Sequence, residues 1–292
     1  MDKHFPASQL IINDDGSIFH LHLKSEQLAD NIILVGDPGR VNMVASFFDE
    51  GSIESQTENR EFKSITGKYN GKRITCLSTG IGTDNIDIVM NELDALANID
   101  LTTRTEKKEH RTLNIIRIGT CGGMQPDIPI GTFLVSEKSI GFDGVLAFYA
   151  GRDNVSELEF EEALVKHLDW YPKAATPYVV SANKDLVERI AQKDMMRGCT
   201  ISANGFYGPQ GRVLRCAIHD PEINDKIESF RFGPYRITNY EMEGSAIAGL
   251  ALLMGHRAMT VCCVIAQRRA EEADTDYKPF VKQLIATVLQ RI

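Results

Sequence analysis

A chain of 292 residues, 43% hydrophobic and 25% charged, has the composition of an ordinary soluble globular protein. It is long enough for one large α/β domain or two small ones. Its net charge of −8 argues against a general nucleic-acid binder, which carries a basic face, though a few local arginines can still hold a small anion. No run of about 18 apolar residues is present, so no membrane span is expected.

Met1 to Pro6 has no apolar h-region, so no secretory signal is expected. Asn31–Val35 reads as a buried strand leading into the turn Gly36-Asp37-Pro38-Gly39-Arg40, with a helix over 41–48. Arg73–Leu77 leads into Ser78-Thr79-Gly80-Ile81-Gly82, and apolar residues recur at helical spacing over 86–96. The charged segment 102–112 reads as a surface connection. Leu113–Ile118 leads into Gly119-Thr120-Cys121-Gly122-Gly123. Tyr235–Tyr240 leads through Glu241-Met242-Glu243 into an Ala- and Leu-rich helix over 245–254, and Met259–Ala266 is a further buried strand.

Strands alternating with helices indicate an α/β fold around a largely buried, mixed central sheet flanked by helices. No linker or repeat interrupts it. The expectation is one domain over 1–292, with 1–17 as an N-terminal extension. Ligands in such folds collect at the carboxyl ends of the strands, where these polar turns fall. Six scattered cysteines suggest reduced thiols and a cytoplasmic protein. Cys262 and Cys263 are strand neighbours facing opposite sides, which suits packing better than metal binding. His20 and His22 lack a third ligand at zinc spacing, so no metal site is expected.

Several side chains suit chemistry. Arg40 closes a glycine turn ahead of a helix, where backbone N–H groups can approach an anion. Neither that turn nor Gly80-Ile81-Gly82 completes a phosphate-loop or dinucleotide fingerprint. Arg117 sits inside an apolar strand, where a guanidinium wants a carboxylate or an oxyanion, and Thr120 adds a hydroxyl. Glu241 and Glu243, two apart, leave one face of an extended segment, as a pair for acid/base work, a clamp on sugar hydroxyls, or a solvated strand end. In Phe206-Tyr207-Gly208-Pro209-Gln210-Gly211-Arg212, an amide and a guanidinium fork stand beside an aromatic ring. That set is able to read a flat heterocycle with carbonyl and N–H edges.

Together these segments resemble the nucleoside phosphorylase superfamily, and most closely its uridine phosphorylase branch. The resemblance runs from about Ile18 to about Arg268. It rests on Phe19-His20-Leu21, the Gly36–Arg40 turn, Asn59-Arg60-Glu61-Phe62, the Ser78–Gly82 turn, Arg117-Ile118-Gly119-Thr120, Phe206-Tyr207 with Gln210 and Arg212, and Tyr240–Glu243, in the family's order.

The resemblance implies a nucleoside phosphorylase-like fold and phosphorolysis of uridine to uracil and ribose 1-phosphate, with inorganic phosphate as co-substrate and no organic cofactor. It implies that Gly36, Arg40, Arg60, Arg117 and Thr120 bind phosphate. His20, Thr120, Met242 and Glu243 would hold the ribose; Gly122, Phe206, Gln210, Arg212 and Glu241 would face the base. Arg117, Gln210, Arg212 and Glu243 would carry catalysis. His20 and Arg60 would enter a neighbour's pocket, so the implied active unit is at least a dimer.

Cys121 stands where many bacterial members have threonine. Asn85 stands near a serine that, with Glu61 and Ile81, helps hold a monovalent cation in some relatives. The alternatives are a purine nucleoside phosphorylase or nucleosidase of the same superfamily, and a non-catalytic nucleoside-binding protein. The stretch Val264–Arg268 lacks the aspartate that purine enzymes carry after this strand.

Overall fold

The computed structural model describes residues 4–268 and 272–292. Asn31–Val35 (β1) runs into helix α1, Pro38–Ala45. That helix begins three residues before the 41–48 reading, because Pro38 fits the first helical position and the Asp37 side chain accepts from Gly39 N at 2.8 Å. Ser55–Asn59 (β2) and Phe62–Tyr69 (β3) form an antiparallel pair that continues to β4, Lys72–Ser78.

Helix α2, Thr83–Asn98, follows the Gly80–Gly82 turn. The segment expected as a plain connection holds part of a small ladder, Ile99–Asp100 (β5) against Thr105–Glu106 (β6). Asp100 ties it by accepting from Thr102 N and Thr103 N. Asn114–Gly123 (β7) and Phe133–Gly141 (β8) come next, then α3 (Arg152–Val155), α4 (Leu158–Leu168), β9 (Tyr178–Ser181), α5 (Lys184–Ile190) and β10 (Met196–Ser202). The chain closes with α6 (Ile223–Ser229), β11 (Arg231–Phe232), β12 (Tyr235–Glu241), α7 (Gly244–Leu253), β13 (Arg257–Gln267), β14 (Glu272–Ala273) and α8 (Lys278–Arg291).

Among the described residues one twelve-stranded mixed sheet carries the fold. Its strands run β12-β10-β8-β13-β7, and β12 pairs back onto β7, so these five close into a ring. From β7 the sheet continues outward as β1-β4-β3-β2. The contact that closes the ring joins carboxyl ends: Asn239 lies opposite Gly123 and Tyr240 opposite Gly122.

Helices cover both sides. Helices α2 and α7 build one core with Leu93, Leu96, Ile247 and Leu250; α1, α5 and α8 build another with Val41, Leu186 and Leu284. Helix α7 is apolar nearly all round and its first eight residues are buried, which explains why it shows no amphipathic stripe. Phe160 and Phe230 lead a third cluster under α4 and α6. Cys262 packs with Cys121 and Leu134 while Cys263 joins the second core, so the adjacent pair does face opposite sides. All six cysteines are free thiols. Among the described residues, no helix is long and apolar enough to cross a membrane. Leu10, Leu21 and Leu23 are buried in the first core, so packing begins well before β1.

Candidate functional site

The carboxyl ends of β1, β4, β7, β12 and β13 surround a cavity of about 740 Å³. Gly36, Arg40, Arg117 and Thr120 line it, as do Met242 and Glu243, and Gly122, Phe206, Gln210, Arg212 and Glu241. Eleven of the thirteen residues expected at phosphate, ribose and base meet here. The other two, His20 and Arg60, lie outside this cavity.

Arg117 organises the floor. Its side chain leaves the buried strand β7 and doubles back over Gly119, where a Cβ would stand 2.1 Å from Nη1. Nη2 donates to Glu243 Oε2 in a short contact, and Nη1 lies 3.2 Å from Glu241 Oε2. Burial works against its charge, but the two carboxylates hold its pKa above the ordinary arginine value. Glu243 also accepts from Gly82 N at 2.8 Å, which ties β12 to the start of α2. Burial raises the Glu243 pKa, Arg117 opposes that rise, and Glu241 adds to it.

Glu241 lines the cavity, yet its oxygens are turned to the protein. They accept from Ser202 Oγ, Glu243 N and Gly244 N. Arg40, in the first turn of α1, donates to the Ile118 carbonyl at 3.2 Å. Among the described residues it has no carboxylate in ion-pair range. Burial, with the Arg117 charge behind it, presses its pKa down. A half-buried guanidinium in the first turn of a helix, with no carboxylate in ion-pair range among the described residues, has the chemistry to suit an oxyanion.

The loop after β10 supplies a further part of the lining. Gln210 is buried, and its Oε1 accepts a short hydrogen bond from Arg212 Nη1, while that guanidinium stacks on the Phe206 ring at 3.8 Å. Amide and fork are thereby fixed as one unit. Arg268, which the sequence reading did not assign, donates to the Gln210 carbonyl at 2.8 Å. Burial and Arg268 together press Arg212 down to about 10. The resemblance ended at Arg268, and its position one residue past β13 was the available signal. Asn224 supports the same loop through the carbonyls of Gln210 and Gly211.

His20 and Arg60 belong to a different edge. His20 Nδ1 stands 2.6 Å from Glu92 Oε1, and Arg60 is exposed at the β2–β3 turn with φ of 55°. Asn59 Nδ2 donates to the His20 carbonyl at 2.8 Å, which holds the two residues' segments together. At the cation position Asn85 Nδ2 donates to Glu61 Oε1 at 3.1 Å, while Ile81 is 70% exposed.

Elsewhere, Asp94, His110 and His256 bring ligand-type atoms within 4.8 Å of one another. Leu113 N donates to His256 Nδ1, which puts the ring proton on Nε2, 3.1 Å from Asp94 Oδ1. His110 Nε2 lies 3.0 Å from the Met254 carbonyl, which requires an N–H there. Both imidazoles are already committed as donors, and the trio ties α2 to the start of β7.

The sequence profile of the Phosphorylase superfamily matches residues 30–292. The chain belongs to the phosphorylase superfamily. Within it, the chain is 28% identical over 278 residues to a uridine phosphorylase of Thermococcus kodakarensis, covering 93% of this chain and 85% of that one. It is 26% identical over 279 residues to a DeoD-type purine nucleoside phosphorylase of Bacillus cytotoxicus, covering 93% and 99%. Among solved structures, a Trypanosoma brucei nucleoside phosphorylase described as showing uridine phosphorylase activity superposes with a TM-score of 0.87. It is 30% identical and covers 97% of this chain and 98% of that one. The phosphorylase fold expected from the motifs is therefore the fold observed, and the superfamily is one of enzymes.

In this chain the space above Gly119 is set by Arg117. Gly119→Ala should displace the guanidinium and lower stability by about 1–3 kcal/mol, read as an earlier urea midpoint at unchanged slope. An unchanged midpoint would mean that the fold does not depend on this close approach.

Proposed function

We propose that this protein cleaves uridine with inorganic phosphate, giving uracil and ribose 1-phosphate. The observation that carries the reading is the fixed Gln210–Arg212 unit lining the same cavity as Arg40. An amide and a guanidinium, with Arg268 behind them, match a small base bearing carbonyl and N–H edges. Arg40, Arg117 and Thr120 would hold the phosphate, and Gly36 would let backbone approach it. Glu243 and Met242 would hold the ribose hydroxyls.

A phosphate oxygen attacks C1′ as the bond to the base nitrogen breaks, and the bonding electrons leave with uracil. The arginines offset that negative charge, so the chemistry needs placement and electrostatics and no covalent intermediate.

A purine nucleoside is the second reading. Asp274 lines the same cavity, held by its backbone N–H on the Ile265 carbonyl, and an acid there could face a purine nitrogen. Its chain position lies beyond the stretch in which the sequence reading sought an aspartate. The cationic base wall favours uracil.

The assembly proposed is a homo-oligomer of at least two subunits. His20 and Arg60 are held side by side yet outside the cavity of their own chain, and Phe148 is 91% exposed. A neighbouring subunit would bury that ring and receive both side chains.

Uracil release should require phosphate, and uridine should be preferred to inosine and adenosine. Arg212→Ala should lower kcat/KM on uridine about tenfold or more, since a charged hydrogen bond is worth about 1.5–3 kcal/mol. Equal release in phosphate-free buffer would instead identify a nucleosidase, and brisk inosine cleavage would favour the purine reading.

Ionised Glu243 is needed to accept ribose hydroxyls, so activity should fall as pH drops. Because its pKa is raised, the acid limb of kcat/KM should have its midpoint above 4.5. A limb at or below 4.5 contradicts this assignment.

Shared sites are tested by mixing inactive Arg60→Ala and Arg117→Ala proteins under conditions that exchange subunits. A mixed dimer would hold one pocket with both lesions and one with neither, so part of the activity should return. Proven exchange without recovery would count against the shared site.

A further inference from the structure

Glu241 faces the cavity with no oxygen left for a substrate. One oxygen accepts from Ser202 Oγ and Gly244 N; the other accepts from Glu243 N and Gly244 N and lies 3.2 Å from Arg117 Nη1. Its donors come from two strand ends and the first turn of α7, so the carboxylate is immobile. Ser202, fully buried at the end of β10, is the outermost of these donors, and its own oxygen accepts from Ser245 N at 2.8 Å. Behind it Ser245 Oγ donates to Asp143 Oδ2 at 3.0 Å and accepts from Tyr178 OH at 3.1 Å.

The chain of contacts therefore runs from a buried polar cluster through Ser202 and Glu241 to Arg117, and ends at Glu243. Arg117 is shared: one nitrogen faces Glu241 and the other Glu243, while Arg40 beside it has no carboxylate in ion-pair range among the described residues. A guanidinium held by one carboxylate alone would be free to swing toward Glu243 or toward an incoming anion. With Glu241 fixed, it stays at the boundary between the anion and the sugar.

We propose that Ser202 and Glu241 are positioning residues that act through Arg117, locking its guanidinium between the phosphate and Glu243, and that Glu241 does not read the base. This rests on the phosphorolysis proposed above.

Two consequences have opposite signs. Ser202→Ala loosens Glu241, so Arg117 should hold phosphate less well. Glu241→Gln removes one of two negative charges competing for Arg117, so phosphate should bind more tightly even as turnover drops. A purely structural role would not separate the two variants in this way.

The experiment is titration of inorganic phosphate into each protein by calorimetry, alongside steady-state kinetics with uridine. Folding is checked by circular dichroism, and either variant alone tests the idea if the other does not fold. We expect kcat to fall about tenfold in both. Phosphate Kd should rise about fivefold in Ser202→Ala and fall about threefold in Glu241→Gln. The uridine-to-inosine preference should stay within about twofold.

Unchanged phosphate Kd and kcat in a folded variant, with only a lower unfolding temperature, overturns the proposal. So does a tenfold change of base preference in Glu241→Gln at constant phosphate Kd, which would make Glu241 a base reader. If the unmutated protein binds phosphate but does not cleave uridine, the substrate reading fails while the phosphate titrations still decide the positioning role. If it binds no phosphate, both fall together.

Discussion

The structure depends on placing one positive charge inside a sheet. Arg117 projects from a strand whose neighbours are Ile116 and Ile118, and the penalty for burying it is offset only because two carboxylates arrive from a separate strand. Much of the architecture follows from that meeting. Strand β12 must return to β7 to deliver Glu241 and Glu243, which closes the ring. Gly119 must be bare so that the side chain can fold back. Gly82 must offer an N–H to Glu243, which fixes the start of α2. The apolar helix α7 can begin directly after Glu243 because Glu241 accepts from Gly244 N and Ser202 Oγ accepts from Ser245 N, two orphan N–H groups of its first turn. Removing one carboxylate here would leave Arg117 with a single counter-charge at a buried position.

Two parts of the cavity lining differ in how firmly they are built. The part carrying Arg40 and Arg117 stands on strand termini and helix starts. The part carrying Gln210 and Arg212 stands on a loop whose carbonyls are propped by Arg268 and Asn224. Its charges are less balanced, since Arg212 and Arg268 repel one another and, among the described residues, neither has a carboxylate in ion-pair range. That residual positive potential suits a leaving group that departs with electrons.

Much of this was legible in the residues. Buried parallel strands announce themselves as short apolar runs, so β1, β4, β7, β12 and β13 could be read, and each ends in a glycine turn or a charged pair. What escaped was polar or interrupted. Strand β2, Ser-Gln-Thr-Glu-Asn, alternates half-buried and exposed residues at the sheet edge and has no apolar signal. Strand β8 carries Glu137 and Lys138 where a buried strand would be apolar, because Lys138 finds Glu157 at 2.6 Å. The site shows the same division. Arg40 and Arg117 stood out because charge inside or beside an apolar run demands a reason. The orientation of Glu241 could not be read, since a carboxylate facing substrate and one facing Ser202 have the same local sequence. Asp274 lies farther along the chain than any motif reaches, and only the pairing of β14 with β13 brings it to the cavity wall.

The closing of five strands into a ring has a consequence for inheritance of change. Glu241 and Glu243 sit where the two halves of the ring are sutured, so altering them disturbs both the seam and the chemistry. The loop carrying Phe206 to Arg212 is outside that suture and is anchored by only a few side chains. On such a plan the exposed loop can be rewritten without touching the seam, while Glu241 and Glu243 are locked by the same contacts that close the five strands into a ring.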